Sequence, residues 1–300
     1  MSQSAGGSTQ GPAAADQPSP TDRALTVAQA LRLAQVMGLA RLDAQWLLSH
    51  HLQRPRTWLI AHDDASLPGA TASAFSADCQ RRADGEPLAY LLGEREFHGL
   101  MLQVSPAVLV PRPDTETLVD WALDLLPSLS TDHPRVLDLG TGSGAIALAV
   151  AYRYPAARLT ATDLSPAALQ IARANADRLG LALSWACGAW WQALPAGAQF
   201  DLVLANPPYI AGDDPHLAAL RHEPLLALTP GGDGLSALQQ IIAGAPAQLA
   251  EGAWLLLEHG WDQAAPVAAA LRQAGFTDLS CRQDLAGRPR CSGGRRGPLA

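Results

Sequence analysis

The sequence predicts an α/β protein in which a doubly wound, mostly parallel sheet follows a small all-helical N-terminal domain. The chain has 300 residues, which is enough for about two domains. Hydrophobic residues make up 48% and charged residues 16% of it, so a sizeable core can be buried. Before residue 94 the apolar residues follow a helical period, whereas after residue 134 short apolar runs alternate with helical patterns. Such alternation predicts crossover units and a mostly parallel sheet covered on both faces.

The amino-terminal part divides into a tail and a helical domain. Residues 1–22 hold almost no large apolar side chain, so we expect a disordered tail that cannot bury enough surface to fold. Residues 23–93 predict the helical domain. Thr26 suits the cap of a first helix, which Gly38 would end, and a third candidate helix spans 71–83. A second helix would carry on its apolar side Leu42, Trp46 and Leu47.

A linker, residues 94–112, joins this domain to an α/β domain at 113–300. Apolar residues on both sides of Gly99 predict a β-hairpin within the linker. The pair Asp114-Thr115 can cap a helix over 116–126. Four apolar runs predict strands, at 135–139, 158–162, 200–205 and 253–257. Four segments between or after them predict helices, at 145–154, 166–179, 235–249 and 263–275. Ligands of such sheets bind beyond the carboxyl ends of the strands.

The first strand of the α/β domain runs into a glycine-rich turn, Asp138-Leu139-Gly140-Thr141-Gly142-Ser143-Gly144. Glycines at every second position let the backbone turn tightly and approach a ligand without an obstructing Cβ. The turn follows a predicted strand and opens a predicted helix, which is the context that a nucleotide site requires. Its spacing differs from the dinucleotide fingerprint G-x-G-x-x-G, and it has no lysine to reach a phosphate as a Walker loop does.

Two acidic residues define the expected ligand more closely. Asp138 precedes the turn, where a carboxylate would repel pyrophosphate but suits an ammonium group. Asp163 ends the second strand, at the position where such folds hold ribose hydroxyls, and a carboxylate can accept hydrogen bonds from both. A ligand with an ammonium group and a ribose but no phosphate is S-adenosylmethionine. Taken alone, Asp163 is also explained as an acid that leads into a helix.

The strand at 200–205 runs directly into Asn206-Pro207-Pro208-Tyr209. A planar amide or aryl amine is a poor nucleophile, and it needs acceptors for its two hydrogens more than it needs a strong base. The Asn206 side-chain oxygen and the Pro207 carbonyl can supply them, and the Tyr209 ring can stack on the flat group. The prolines hold this geometry in advance. The turn therefore predicts catalysis by Asn206, Pro207 and Tyr209, with Pro208 helping to bind the substrate.

On these motifs, the sequence resembles the HemK-like family, the peptide chain release factor N5-glutamine methyltransferases (PrmC), over residues 23–300. The glycine turn and Asn-Pro-Pro-Tyr by themselves indicate only a methyltransferase that acts on a planar nitrogen. Four further motifs narrow the resemblance to this family: Gly85-Glu86-Pro87-Leu88-Ala89-Tyr90, Pro111-Arg112-Pro113-Asp114-Thr115-Glu116, Glu223-Pro224 and Leu257-Glu258-His259-Gly260.

The resemblance implies a sheet of the S-adenosylmethionine-dependent methyltransferase type and methylation of the glutamine in the Gly-Gly-Gln motif of class 1 release factors. It also implies that the helical domain grips the release factor. By motif match, residues 140–144, Asp163 and Asn206 would hold the cofactor, and residues 206–209 would hold the glutamine amide. Trp190 would pack near the adenine. Relatives often carry an acid where this chain has Ala189, so Trp191 is an alternative for that contact, and ordinary core packing explains either tryptophan.

Two related activities share the same turn. A ribosomal-protein glutamine methyltransferase is a close relative, although the Pro-Arg-Pro-Asp-Thr-Glu run is more similar to the release-factor branch. A DNA or RNA amino-methyltransferase must hold a nucleic acid on a basic face. The 21 Lys and Arg against 28 Asp and Glu give a net charge of −7, which argues against direct nucleic-acid binding. A binding module without catalysis is the remaining alternative, and the complete set of site residues argues against it.

The cysteine spacing, the lengths of the apolar runs and the amino-terminal residues predict a cytoplasmic protein without a bound metal. The four cysteines are far apart and form no Cys-x-x-Cys pair, which is typical of reduced cytosolic thiols. No run approaches the ~18 apolar residues of a membrane span, and no secretory signal is visible at the amino terminus.

Overall fold

The computed structural model describes Met1 and residues 24–297. Apart from Met1, the tail predicted at 1–22 lies outside the described residues. The chain divides into two compact units, Met1–Ala83 and Asp84–Ala300. This division lies ten residues before the predicted end of the helical domain, and the domain boundaries at 93 and 112 stay predictions.

The first unit is helical. Thr26 caps its first helix in a reciprocal box: the Thr26 hydroxyl accepts from the Gln29 backbone amide, and the Gln29 side chain accepts from the Thr26 backbone amide. Val27 and Ala34 are fully or almost fully buried on the inner side of this helix. The helices of the unit are α1 (Val27–Val36), α2 (Arg41–Leu52), α3 (Arg56–Ala61) and α4 (Gly69–Ala83).

The predicted apolar side of the second helix was wrong in part. Leu47 is buried, but Leu42 is 50% and Trp46 44% exposed. The buried side is formed with Ala44 and Leu48, while the Trp46 ring lies against the Arg56 guanidinium, 5.0 Å from its centroid. Apolar residues lie all around α2, so their period alone could not select the buried face.

The second unit contains the sheet. Its helices are α5 (Leu88–Leu92), α6 (Glu116–Leu125), α7 (Ala145–Arg153), α8 (Pro166–Leu179), α9 (Leu225–Leu228), α10 (Ser236–Gln248) and α11 (Ala264–Gln273). Its strands are β1 (Glu94–Phe97), β2 (Leu100–Gln103), β3 (Arg135–Leu139), β4 (Arg158–Asp163), β5 (Ser184–Cys187), β6 (Phe200–Ala205), β7 (Leu249–Glu258), β8 (Phe276–Gln283) and β9 (Pro289–Arg296). Strands β1 and β2 form an antiparallel hairpin around His98-Gly99.

The seven-stranded sheet has the order β5-β4-β3-β6-β7-β9-β8, and its first five strands are parallel. The predicted fold class, a doubly wound and mostly parallel sheet, is confirmed. Alternate residues of the central strands enter separate cores. Val136, Leu202 and Leu204 pack with α6 and α7, whereas Leu137 and Val203 pack with α10 and α11. Burial on both faces explains why these strands appear in the sequence as continuous apolar runs.

Three strands of the sheet did not follow from the sequence: β5 at one edge, and β8 and β9 at the other. β8 and β9 pair antiparallel with each other, and β9 pairs antiparallel with β7. β8 is largely exposed and polar, and β9 contains Gly293 and Gly294, so neither has the apolar pattern of a buried strand. A Cβ on Gly293 would lie 2.5 Å from Leu256 Cδ2, so close packing on β7 explains this glycine.

The connections place a crevice at the carboxyl ends of β3 and β6. From β3 the chain crosses to β4 on one side, and β6 pairs with β3 on the other side. This reversal of strand order is where ligands bind in open α/β sheets. Among the residues that the structure describes, no helix is both long enough and apolar enough to cross a membrane.

Candidate active site

A cavity of about 370 Å³ lies in this crevice. The turns after β3, β4 and β6 meet there because Leu139 is paired with Thr162 on one side and Ala205 on the other. Of the predicted site residues, the structure brings together at the cavity wall Gly140, Thr141, Gly142, Ser143, Asp163, Trp190, Asn206 and Pro208. The lining does not include Asp138, Gly144, Pro207 or Tyr209.

The glycine turn has the backbone shape that only glycine adopts without strain. Gly140, Gly142 and Gly144 have φ values of +74°, +56° and +85°. The amides of Gly140 and Thr141 both donate to the Thr162 carbonyl, at 2.9 and 2.8 Å, which ties the turn to β4. A Cβ on Gly144 would lie 2.9 Å from Leu148 Cδ1 and 3.2 Å from the Ala172 Cβ, so this glycine lets the turn pack closely against α7 and α8, and it does not line the cavity.

Asp163 lies at the end of β4 with both carboxylate oxygens engaged. Oδ2 accepts from the Gly142 amide and Oδ1 from the Ser165 amide, each at 2.8 Å. Burial raises the pKa of Asp163 above its ordinary value, and these backbone donors oppose that rise. Each oxygen keeps a lone pair for a further donor, as a ribose diol would require.

Trp190 is the tryptophan at the cavity. Its Cζ3 would lie 3.3 Å from a Cβ on Gly140, and its backbone has a φ of +44° at the start of a short 3₁₀ helix, Trp190–Ala193. Trp191 points elsewhere, because its Nε1 donates to the Ile241 carbonyl at 3.0 Å and its ring covers Gly244 of α10. The geometry therefore favours Trp190 over Trp191 for contact with an adenine.

Asp138 is fully buried beneath the turn. Its Oδ2 accepts from the Thr141 hydroxyl at 2.6 Å and from the Ala147 amide at 3.3 Å, so it holds the turn onto the start of α7. Its Oδ1 has no hydrogen-bond partner among the residues that the structure describes. Burial raises the pKa of Asp138 to about 7. A buried, unpartnered carboxylate oxygen beside the cavity fits a cationic ligand such as S-adenosylmethionine.

Asn206 follows β6 and lies at the cavity wall. Its Nδ2 donates to the Thr115 hydroxyl at 3.2 Å. Tyr209 lies farther inside, where its ring packs on the core beneath the sheet and its hydroxyl donates to Glu258 Oε1 at 3.1 Å. Burial raises the pKa of the Tyr209 hydroxyl. The stacking of Tyr209 on a substrate amide stays a prediction.

Three residues of the site were missed as functional by the sequence analysis. Thr115 lines the cavity beside Asn206, and Glu258 accepts a hydrogen bond from the Tyr209 hydroxyl. Glu223 accepts from the Val110 amide at 3.0 Å and pairs with the Arg112 guanidinium, so it joins two segments that both contribute residues to the cavity wall. All three belong to motifs that only marked the family resemblance, and no local pattern showed which residues they would meet.

We expect Asp163→Ala to weaken S-adenosylmethionine binding by about 1–3 kcal/mol, because a charge-assisted hydrogen bond to the ribose is lost. The Gly142 and Ser165 amides would lose a partner as well, so melting temperature should be measured beside calorimetric affinity. The Asp201→Ala variant is a control, since Asp201 pairs with Arg135 outside the cavity. An unchanged cofactor affinity in Asp163→Ala would remove Asp163 from the ribose site.

Cofactor affinity should also depend on pH through Asp138. Its raised pKa means that the carboxylate is present above about pH 7 and is lost as the pH falls through that value. Because only the ionised form attracts an ammonium group, we expect roughly fivefold weaker binding at pH 6 than at pH 7. Calorimetry across this range should show the Asp138→Asn variant with weak, nearly pH-independent binding. A wild-type affinity that does not change between these pH values would exclude the pairing.

Two family models match separate parts of the chain. The family model described as PrmC N-terminal domain matches residues 24–93, and the one described as Methyltransferase small domain matches residues 119–258.

Within the residues that the structure describes, no group of three or more His, Cys, Asp or Glu side chains is placed to hold a metal ion.

The release factor glutamine methyltransferase of Bordetella pertussis (strain Tohama I) is 52% identical over 259 residues, which cover 86% of this chain and 95% of that protein. The protein of the same name from Xylella fastidiosa (strain Temecula1) is 50% identical over 260 residues, which cover 86% of this chain and 94% of that protein. The T. Thermophilus 16S rRNA N2 G1207 methyltransferase has a TM-score of 0.51 at 17% identity, over 68% of this chain and 49% of that one, which shows the fold alone. Sequence identity of 50% or more extends over nearly the whole length of both relatives. The chain therefore belongs to the release factor glutamine methyltransferase family.

Proposed function

We propose that this protein transfers a methyl group from S-adenosylmethionine to the side-chain amide nitrogen of the glutamine in the Gly-Gly-Gln motif of class 1 peptide chain release factors. The observation that carries the proposal is the position of Asn206: it lines the same cavity as the glycine turn, Asp163 and Trp190. An amide acceptor beside a nucleoside-shaped site suits methyl transfer to a planar nitrogen, and the relatives at 52% and 50% identity are named for glutamine methylation.

The cofactor fits the residues present. Asp163 offers lone pairs to ribose hydroxyls, Trp190 offers a flat apolar surface to the adenine, and the unpartnered Oδ1 of Asp138 offers a negative charge to the methionyl end. When bound, S-adenosylmethionine supplies an electrophilic methyl group. The turn of residues 140–144 has no Cβ at its three glycines, which lets the backbone lie close to this ligand.

The protein's part in the reaction is to position the glutamine amide and to accept its hydrogens. Asn206 Oδ1 accepts one N–H and the Pro207 carbonyl accepts the other, which orients the nitrogen lone pair toward the methyl group. No general base at the nitrogen is required, since the N-methylated amide cation is very acidic and loses its proton to water. The rate gain comes from acceptors that are already in place when charge develops.

Release factors are the proposed partners, and the helical unit is the proposed docking surface for them. One glutamine side chain offers little binding energy, so selection among many glutamines requires contacts far from the pocket. We propose the same division as the sequence suggested: a helical docking domain at 23–93, a linker at 94–112 and a methyltransferase domain at 113–300.

Because release factors act at the ribosome, we propose that the protein lies in the cytoplasm. We also propose that it acts without a metal and binds neither membrane nor nucleic acid directly.

Labelling with radioactive S-adenosylmethionine tests the proposal. The full chain is incubated with a class 1 release factor, with a ribosomal protein that is a known glutamine substrate and with DNA. We expect label on the release factor alone, and none on a release factor in which the glutamine of Gly-Gly-Gln is replaced by alanine. Label on the ribosomal protein or on DNA in preference to the release factor would overturn the proposed substrate and select the corresponding alternative.

A further inference from the structure

The Asn-Pro-Pro-Tyr turn is held from outside the cavity at a backbone atom, the Tyr209 carbonyl oxygen. Proline has no amide hydrogen, so Pro207 and Pro208 cannot secure the turn by backbone donation. Gln263 Nε2 donates to the Tyr209 carbonyl at 2.9 Å. Gln263 is 9% exposed and lies between β7 and α11, so a side chain from another connection of the sheet fixes where the turn ends.

The direction of the Gln263 amide is fixed by two backbone partners. Its Oε1 accepts from the Gly260 amide at 2.9 Å, while its Nε2 donates to the Tyr209 carbonyl. A backbone amide can only donate and a backbone carbonyl can only accept, so a reversed side-chain amide would meet a like group at both ends. Gln263 therefore joins the turn after β7 to the turn after β6 in one orientation.

Gly234 confines the same carbonyl oxygen. It lies shortly before α10 with a φ of +80°, and a Cβ there would overlap the Tyr209 oxygen and lie 3.0 Å from Gln263 Nε2. Any side chain at this position would therefore displace the turn or break its hydrogen bond. Gly234 and Gln263 come from two different connections of the sheet, and together they define one slot for the Tyr209 carbonyl.

We propose that Gln263 and Gly234 are positioning residues for methyl transfer: by fixing the Tyr209 carbonyl, they set where the turn presents its acceptors to the target amide. The inference rests on the proposed glutamine methylation and deepens it. Neither residue lines the cavity, so both act through the turn and not by contact with the substrate. Because the two prolines stiffen the turn, a displacement at Tyr209 is passed on to the Pro207 carbonyl and to Asn206.

The test pairs each variant of the full-length protein with a matched control. Gln263→Met keeps the length of the side chain and removes both hydrogen bonds, and Gln273→Met makes the same change at the exposed end of α11. Gly234→Ala places a Cβ against the carbonyl, whereas Gly231→Ala changes a glycine that has the same φ of +80° and open space at its Cβ position. For each variant, kcat and KM on a release factor, cofactor affinity and melting temperature are measured. The kinetics are run at a temperature at which every variant is folded.

We expect Gln263→Met and Gly234→Ala each to lower kcat by about tenfold to hundredfold, because the acceptors of the turn are displaced. KM and cofactor affinity should stay near the wild-type values, and both controls should resemble the wild type. The double variant should lose less than the product of the two single effects, because both changes act on one carbonyl. An unchanged kcat, a control as slow as its variant, or a parallel fall in kcat and cofactor affinity would overturn the proposal. If Gly234→Ala does not fold, Gln263→Met and its control decide the result.

A second readout does not depend on the substrate. Tyr209-Ile210 is the only Tyr-Ile pair in the sequence, so ¹³C in tyrosine carbonyls and ¹⁵N in isoleucine amides give one correlated NMR signal, which reports on the Tyr209 carbonyl. A carbonyl carbon that loses a hydrogen bond shifts upfield. We expect this shift in Gln263→Met and no change in Gln273→Met, and an unshifted signal in Gln263→Met would overturn the inference. If the wild type labels no release factor but the signal shifts as expected, the proposed substrate fails while the anchoring of the turn stands.

Discussion

Replacing Asn206 by alanine is expected to slow methyl transfer by about 10²–10³-fold, which corresponds to about 2–4 kcal/mol of lost transition-state stabilisation. Asn206 lines the cavity, and in the proposed reaction its side-chain oxygen accepts from the target amide. The loss should appear in kcat, because a planar amide needs this acceptor most while its nitrogen becomes positively charged. Cofactor affinity should stay near the wild-type value, since the proposed contacts to the ribose and the adenine come from the turns after β3 and β4 and from Trp190.

Single-turnover kinetics measure the rate of methyl transfer, and calorimetry on the same preparation measures the cofactor affinity separately. Gln239→Ala, which changes an exposed amide residue on α10, controls for the general effect of removing an amide. Asn206→Gln is a further comparison, because it keeps the amide and displaces it by one methylene, so it should lose most of the activity as well. If cofactor affinity and turnover fall by the same factor in Asn206→Ala, Asn206 binds the cofactor and its assigned role in the chemical step is wrong.

Removal of residues 1–83 is expected to lower kcat/KM on an intact release factor by about tenfold to hundredfold, and to leave cofactor binding unchanged. The cavity is lined only by residues from the second unit. Remote contacts contribute binding energy that a single glutamine cannot supply, so their loss is felt on the whole protein substrate. The shortened chain should begin at Asp84 because Tyr90 donates a hydrogen bond to the Val108 carbonyl, and Val108 lines the cavity.

The informative comparison is between the whole release factor and a short Gly-Gly-Gln peptide, each with full-length and shortened enzyme. The peptide cannot reach a distant docking surface, so its slow methylation should be the same with both enzymes. Loss of activity on both substrates would show that the shortening damaged the methyltransferase unit. Full activity of the shortened enzyme on the whole release factor would show that the helical unit does not dock it.

Local sequence determined the features that depend on residues close together in the chain. Buried parallel strands need continuous apolar runs, so β3, β4 and β6 were predicted within one residue of their observed ends. The glycines at 140, 142 and 144 must adopt positive φ, and their spacing identified the turn. Asp163 and Asn206 were expected at one site because Asp163 ends a strand and Asn206 directly follows one, and the carboxyl ends of neighbouring parallel strands meet at one edge.

Tertiary structure decided everything that depends on which distant side chains meet. It directed Trp190 rather than Trp191 to the cavity and placed Asp138 beneath the turn. It also paired Asn206 with Thr115 and Tyr209 with Glu258, which lie 91 and 49 positions apart in the chain. The antiparallel pair β8–β9 likewise depends on contact with β7, since its own residues lack an apolar pattern. Periodicity and turn chemistry act over a few residues, whereas burial, pKa values and hydrogen-bond direction are set by neighbours that only folding brings together.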